Sequence, residues 1–226
     1  MRIGVLGTGV VGRTIAVGLA GLGHQVMLGT REPATTLTRT EPDRMGTPPL
    51  SSWLTDRPDI VLGTFAEAAG HGELVVNATG GSASIDALTQ AGAERLAGKV
   101  LLDVSNPLDF SRGFPPSLFV KDTDSLGEQI QRTFPDARVV KALNTMTAAL
   151  MVDPHQLADG DHSTFISGND AGAKEVVTSL LADLGHTDVI DLGDLTSARG
   201  QEMLLPIWLR LTSSLGTYII NFKIVR

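Results

Sequence analysis

Short apolar bursts alternate along the chain with longer stretches of helical spacing. Those over 2–6, 25–29, 60–63, 73–78, 99–103 and 138–141 read as strands. Between the first two, Ile15, Ala16, Leu19 and Leu22 recur on one helical face. Alternation of this kind builds a parallel sheet with helices on both of its faces. A second group follows, with strands over 163–167 and 188–191 flanking a helix over 171–184, and a final helix begins near Asp194. The pattern predicts a doubly wound, mostly parallel α/β sheet over 1–150. Residues 151–226 then form a small strand-helix-strand extension and terminal helix, serving an acceptor site or a dimer interface.

Two stretches interrupt this rhythm. Residues 32–58 carry Pro33, Pro42, Pro48, Pro49 and Pro58, so any helix there is short and broken. The stretch 106–117 holds Pro107, Gly113, Pro115 and Pro116 directly after a strand end, where this architecture places its ligands.

The first strand runs into Gly7-Thr8-Gly9-Val10-Val11-Gly12, immediately ahead of the first helix. In this context Gly7 permits a tight turn, Gly9 lets the backbone approach a pyrophosphate at the helix N-terminus, and Gly12 allows close helix–strand packing. This predicts a Rossmann-type dinucleotide site. The second strand ends in Thr30-Arg31, where NAD-selective chains place an acid for the ribose hydroxyls. A hydroxyl and a guanidinium suit a 2'-phosphate instead, which predicts NADP(H). Arg39 and Arg44 could assist, while the opposing reading makes Arg31 a solvated charge and gives the acidic role to Glu32.

Later strand ends carry Asn77-Ala78-Thr79-Gly80-Gly81, Asp103-Val104-Ser105-Asn106-Pro107-Leu108 and Lys141-Ala142-Leu143-Asn144-Thr145-Met146. Small residues at 78–81 would let the backbone pass close to the cofactor's ribose or nicotinamide. Asn106 and Asn144 could bind the carboxamide or a second ring, or simply form turns and helix caps.

Together with Gly23-His24 and Gly29-Thr30-Arg31, these segments resemble, in order and over most of the chain, the family of F420-dependent NADP oxidoreductases. Its members pass hydride between NADPH and the deazaflavin coenzyme F420, and the fold recurs in the cytosolic domain of animal ferric and cupric reductases. The resemblance implies that Thr8, Gly9, Val10 and Val11 hold the pyrophosphate, Thr30 and Arg31 the 2'-phosphate, and Ala78, Thr79 and Ala142 the nicotinamide side. It also implies that Asn144, Thr145 and Met146 face the second ring with Glu202, Leu205 and Pro206 of the tail. The chain departs from the family's pattern in its proline-rich 32–58 segment and in the tail from Trp208 to Phe222.

Composition narrows the chemistry further. A net charge of -7, from 18 basic and 25 acidic residues, disfavours nucleic acid or an anionic membrane as the main partner. With no cysteine, thiolate chemistry and Cys-based metal sites are excluded. The N-terminus enters a strand at once, leaving no signal-peptide pattern, and no apolar run reaches the roughly 20 residues of a membrane span. A cytoplasmic protein is expected. His71, His155, His162 and His186 stand singly beside Gly, Asp or Pro, which predicts surface loops rather than a metal array. His24 would meet the negative end of the first helix.

Hydride transfer between stacked rings needs no general acid. Lys141 could supply a proton in a reductase of a ketone, imine or enone, or could instead neutralise a helix terminus or contact a phosphate. Tyr218, the one tyrosine, has Phe222 where a Tyr-x-x-x-Lys pair needs its lysine. Residues 192–226 leave room for a lid or a dimer contact rather than a large substrate domain, and Leu204, Ile207, Trp208, Leu211 and Leu215 recur there at helical spacing. A homodimer fits this economy. Three readings stand: a deazaflavin or flavin-like acceptor, a small carbonyl or imine substrate, and a non-catalytic module that senses NADPH.

Overall fold

The computed structural model describes residues 1–42 and 46–226. Arg44, one of the candidate phosphate ligands, lies outside the described residues. The strands are β1 (Arg2–Leu6), β2 (Gln25–Thr30), β3 (Val61–Thr64), β4 (Leu74–Asn77), β5 (Val100–Asp103), β6 (Leu108–Asp109), β7 (Ser117–Leu118), β8 (Arg138–Ala142), β9 (Ser163–Gly168) and β10 (Asp188–Asp191). Eight of them form one sheet in the order β10-β9-β8-β5-β4-β1-β2-β3. β1 to β5 and β8 pair in parallel. β9 runs antiparallel to β8, with β10 parallel to β9, so the C-terminal extension adds to the same sheet with its direction reversed.

Adjacent residues on the central strands explain why these read as unbroken apolar runs. Val75, Leu101 and Val139 point to one side of the sheet, while Val76, Leu102 and Val140 point to the other. With helices on both faces, a period of two leaves no polar side. The helices on one face are α1 (Val10–Gly21), α8 (Ala148–Val152) and α9 (Ala171–Asp183). The other face carries α4 (Phe65–His71), α5 (Gly81–Ala91), α6 (Ala93–Leu96) and α7 (Leu126–Thr133). Among its described residues the proline-rich segment contributes only the short α2 (Pro33–Leu37) and α3 (Leu50–Thr55), as its prolines predict.

The tail is a pair of helices, α10 (Ala198–Met203) and α11 (Leu205–Leu215). Its buried face is Leu205, Trp208 and Leu209, set against Leu108 and Leu118 of the β6–β7 hairpin. Of the helically spaced set Leu204, Ile207, Trp208, Leu211 and Leu215, expected as core or dimer interface, Trp208 belongs to the buried face, while Ile207 and Leu215 are exposed. The 106–117 stretch, expected to be irregular, holds the hairpin: β6 and β7 pair antiparallel. Among the described residues no helix is long and apolar enough to cross a membrane.

Candidate active site

The strand order turns at β1, which lies between β4 and β2, and such a switch point opens a crevice at the carboxyl ends of the strands. The glycine loop sits there. Gly7 has φ +116, and a Cβ on it would lie 2.5 Å from the Ala78 carbonyl oxygen. A Cβ on Gly12 would overlap the Gly7 carbonyl. Around Gly9 nothing lies within 4 Å, so packing alone does not require a glycine at this position. Gly9 is also the N-cap of α1, with no side-chain cap and no acid in the first turn, so the helix presents bare N–H groups to an anion.

Arg13 fixes this loop from behind. Its Nε donates to the Thr8 carbonyl at 2.7 Å and its Nη1 to the Pro48 carbonyl at 2.6 Å. The guanidinium also lies 5.6 Å from the Trp53 ring centre, with Arg57 at 4.6 Å. The 32–58 excursion is thereby anchored beside the cradle through an arginine that the glycine motif gave no reason to single out.

At the tip of β2 the two candidate phosphate ligands separate. Thr36 donates to the Glu32 carbonyl at 2.8 Å, so the buried Thr30 hydroxyl, 3.0 Å from Thr36 Oγ1, donates to it and is engaged within the fold. Arg31 is exposed and makes no hydrogen bond or ion pair among the described residues. Glu32 accepts from the Thr35 hydroxyl at 2.8 Å at the start of α2. Both charges at this tip, Arg31 and Glu32, are exposed, and Arg39 is exposed nearby in sequence.

Two cavities open beyond the glycine loop. One, of about 240 Å³, is walled by Val11, Ala78, Thr79, Ser105 and Asn106, with Gly81, Ser82, Leu108 and Phe110 at its side. The other, of about 690 Å³, shares those last four residues and adds Ile85, Asp109, Phe119, Leu126 and Gln129. A Cβ on Gly81 would overlap the Asn106 carbonyl, so only glycine lets α5 approach the loop after β5 this closely. The aromatic wall of the larger groove is Phe110 and Phe119 of the hairpin, in and beside the 106–117 stretch expected at a ligand position, although neither aromatic was singled out.

The residues assigned to the second ring do not line either cavity. Asn144, Thr145 and Met146 are buried, and Asn144 is tied to Asn106 and to the Gln201 carbonyl. Leu205 belongs to the core beneath the hairpin, and Pro206 is exposed on the opposite side of α11. Ala142, assigned to the nicotinamide side, is fully buried in the core. Glu202 is also buried, its two oxygens accepting from the backbone N–H of Leu126 at 2.9 Å and of Gly127 at 3.1 Å. All of these residues except the exposed Pro206 turn their side chains into the protein interior.

Lys141 is neither at a helix terminus nor at the cavity surface. It is fully buried, with Nζ 2.8 Å from Asp103 Oδ2, 2.8 Å from Glu202 Oε1 and 2.6 Å from the Ser105 carbonyl. Burial works against its charge, yet the Asp103 and Glu202 carboxylates outweigh that effect and hold its pKa above the ordinary lysine value. Two histidines also depart from the surface loops expected for them. His162 is buried, accepting from Asn221 Nδ2 at 2.7 Å and donating from Nε2 to the Pro154 carbonyl at 3.1 Å. His186, likewise buried, accepts from the Thr164 hydroxyl at 2.8 Å and donates to the Met151 carbonyl at 3.1 Å, and burial holds its pKa below the usual value. His24 lies 3.3 Å from the N-terminal ammonium.

The open space at Gly9, the uncapped α1 and the free Arg31 fit a dinucleotide bearing a 2'-phosphate. Comparison with known proteins agrees. The family described as NADP oxidoreductase, coenzyme F420-dependent, matches residues 2–107. The metalloreductase STEAP3 of Rattus norvegicus is 31% identical over 212 residues, covering 92% of this chain, which spans only 38% of that relative's length. An F420-dependent NADP reductase of Methanothermobacter marburgensis is 27% identical over 217 residues, covering 93% of this chain and 92% of the relative. A crystal structure from Arthrobacter sp. FB24, provisionally described as an F420-dependent NADP-reductase, superposes with a TM-score of 0.96 at 62% identity over the whole of both chains. With this likeness along its full length, the chain belongs to the family of coenzyme F420-dependent NADP oxidoreductases.

Proposed function

We propose that the chain transfers hydride between NADP(H) and a deazaflavin of the F420 type, or a flavin-like acceptor, laid in the groove beside the glycine loop. The observation that carries this reading is the shared wall of Gly81, Ser82, Leu108 and Phe110 between the two cavities. A donor ring in the smaller cavity and an acceptor ring in the larger would meet across it. Bound there, NADPH supplies the hydride.

The chain's own residues bind and orient. Gly9 and the first N–H groups of α1 hold the pyrophosphate, and Arg31 takes the 2'-phosphate as a planar fork. Ala78, Thr79 and Asn106 border the donor ring, while Ile85, Leu108, Phe110 and Phe119 exclude water and offer a flat ring an apolar face. Reduction of a carbonyl or imine would need a proton donor at the cavity, and neither Lys141 nor Tyr218 lines it. Residues 151–226 act as a cap on the dinucleotide domain of 1–150, and two copies pair through the outer side of α11. Ile207, Leu215 and Tyr218 support that pairing by their exposure of 49%, 60% and 65%.

The test is a fluorescence titration with NADPH and with NADH, followed by addition of oxidised coenzyme F420 while its absorbance is recorded. Tight NADPH binding with bleaching of F420 is expected. Binding without bleaching removes this acceptor, and a preference for NADH removes the assignment of Arg31. Sedimentation of Ile207→Glu against the unaltered protein tests the pairing.

A further inference from the structure

Lys141 stands where two hydrogen-bonded arms meet. One arm passes from Lys141 to Asp103, whose Oδ1 accepts from Asn77 Nδ2 at 2.9 Å, and on to the Thr79 hydroxyl, which donates to Asn77 Oδ1 at 2.6 Å. Thr79 is part of the wall of the smaller cavity. The second arm passes to Glu202, which holds the Leu126 and Gly127 amides at the start of α7. Leu126 and Gln129 of α7 line the larger groove.

The geometry is saturated. Lys141 offers three N–H donors to three acceptors, and Glu202 divides its oxygens between the ammonium and two backbone amides. Such a cluster is a poor way to gain stability, because a well-packed apolar set of similar volume is often as stable, whereas fixing one arrangement is its best-attested use. Here the arrangement fixed is the relation between the two cavity walls. Asp103 and Lys141 are register partners on β5 and β8, and Glu202 reaches them from α10, so a single buried cation joins the sheet, the tail and α7.

We infer that Lys141 is a positioning residue for hydride transfer: with Asp103 and Glu202 it holds the Thr79 wall and the α7 wall in a set relation, so that donor and acceptor meet at reacting distance. This rests on the reading of the two cavities as donor and acceptor halves of one site.

Asp103→Asn and Glu202→Gln each place an amide where a carboxylate now accepts and disturb one arm apiece. For Asp103→Asn, NADPH is expected to bind roughly tenfold more weakly, through the displaced Thr79 wall. Binding of 2',5'-ADP, which has no nicotinamide, should change little. In Glu202→Gln, hydrogen exchange should quicken at the Leu126 and Gly127 amides without quickening across the sheet, and the acceptor KM should rise while NADPH affinity holds. Should Asp103→Asn fail to fold, Thr79→Val cuts the same arm at its cavity end and is read by the same ligand pair. Equal weakening of NADPH and 2',5'-ADP, exchange quickened throughout, or no change in either variant would overturn the inference. Failure of the acceptor reading shows separately, as unaltered protein that does not bleach F420, and the ligand and exchange measurements still decide the role of Lys141.

Discussion

Asn106 and Asn144, 38 residues apart, interlock: Asn106 Nδ2 donates to the Asn144 carbonyl at 2.8 Å, and Asn144 Nδ2 donates to Asn106 Oδ1 at 3.0 Å. The pair ties the loop after β5 to the loop after β8, and Asn144 Oδ1 remains buried without a partner. Asn106→Ala removes both bonds and strips a partner from a buried amide. A loss of about 1–3 kcal/mol in denaturant unfolding is expected. NADPH affinity should also fall, because Asn106 is part of the wall of the smaller cavity.

Gly9 and Gly12 lie in one motif but answer to different neighbours. Gly9 has φ -75, which any residue adopts, and open space around it. Gly9→Ala should therefore fold with an unchanged melting temperature and lose NADPH affinity as the methyl group meets the pyrophosphate. Gly12→Ala should lose stability first, because its methyl group would overlap the Gly7 carbonyl. Thermal unfolding with and without NADPH separates the two.

The proposed role of Arg31 at the 2'-phosphate predicts that it discriminates between the cofactors. Arg31→Ala is expected to weaken NADPH by roughly tenfold or more, the size of a charge-assisted bond to a phosphate, and to leave NADH nearly unaffected. Equal losses for both cofactors would move the 2'-phosphate elsewhere.

Asp188 links β10 to the end of the chain. The Ser163 hydroxyl, with Arg226 and Lys223, lowers its pKa from 3.8 to about 2. An acid depressed in the folded state contributes its stability in full above the unfolded value and loses it as pH falls through the folded one. The Asp188 contribution should thus fade between pH 3.8 and about 2. Asp188→Asn should flatten that limb of the stability–pH curve, and it should free the tail that Arg226 and Lys223 anchor.

Local features were legible from the order of residues. Unbroken apolar runs specified the central strands because both faces of each are covered, and five prolines kept the helices among the described residues of 32–58 short. The glycine spacing specified the turn, since Gly7 answers to the adjoining strand end at Ala78 and Gly12 to the Gly7 carbonyl, while the space around Gly9 is open. That the second strand ends in Thr30-Arg31, one position ahead of the acid Glu32, could be read from one strand tip. The sequence marked the 106–117 stretch as a ligand position, but the larger groove itself depends on tertiary structure, because it joins Ile85 of α5, Phe110 and Phe119 of the hairpin and Gln129 of α7, residues with no common period. Tertiary structure also decided that Glu202, Lys141, His162 and His186 are buried. Whether a polar side chain meets solvent or an internal partner depends on strand register and on which helix lies across it, and in the Lys141 cluster those partners come from positions 103, 105 and 202. No local pattern encodes that convergence, because the register of β5 against β8 and the docking of α10 create it.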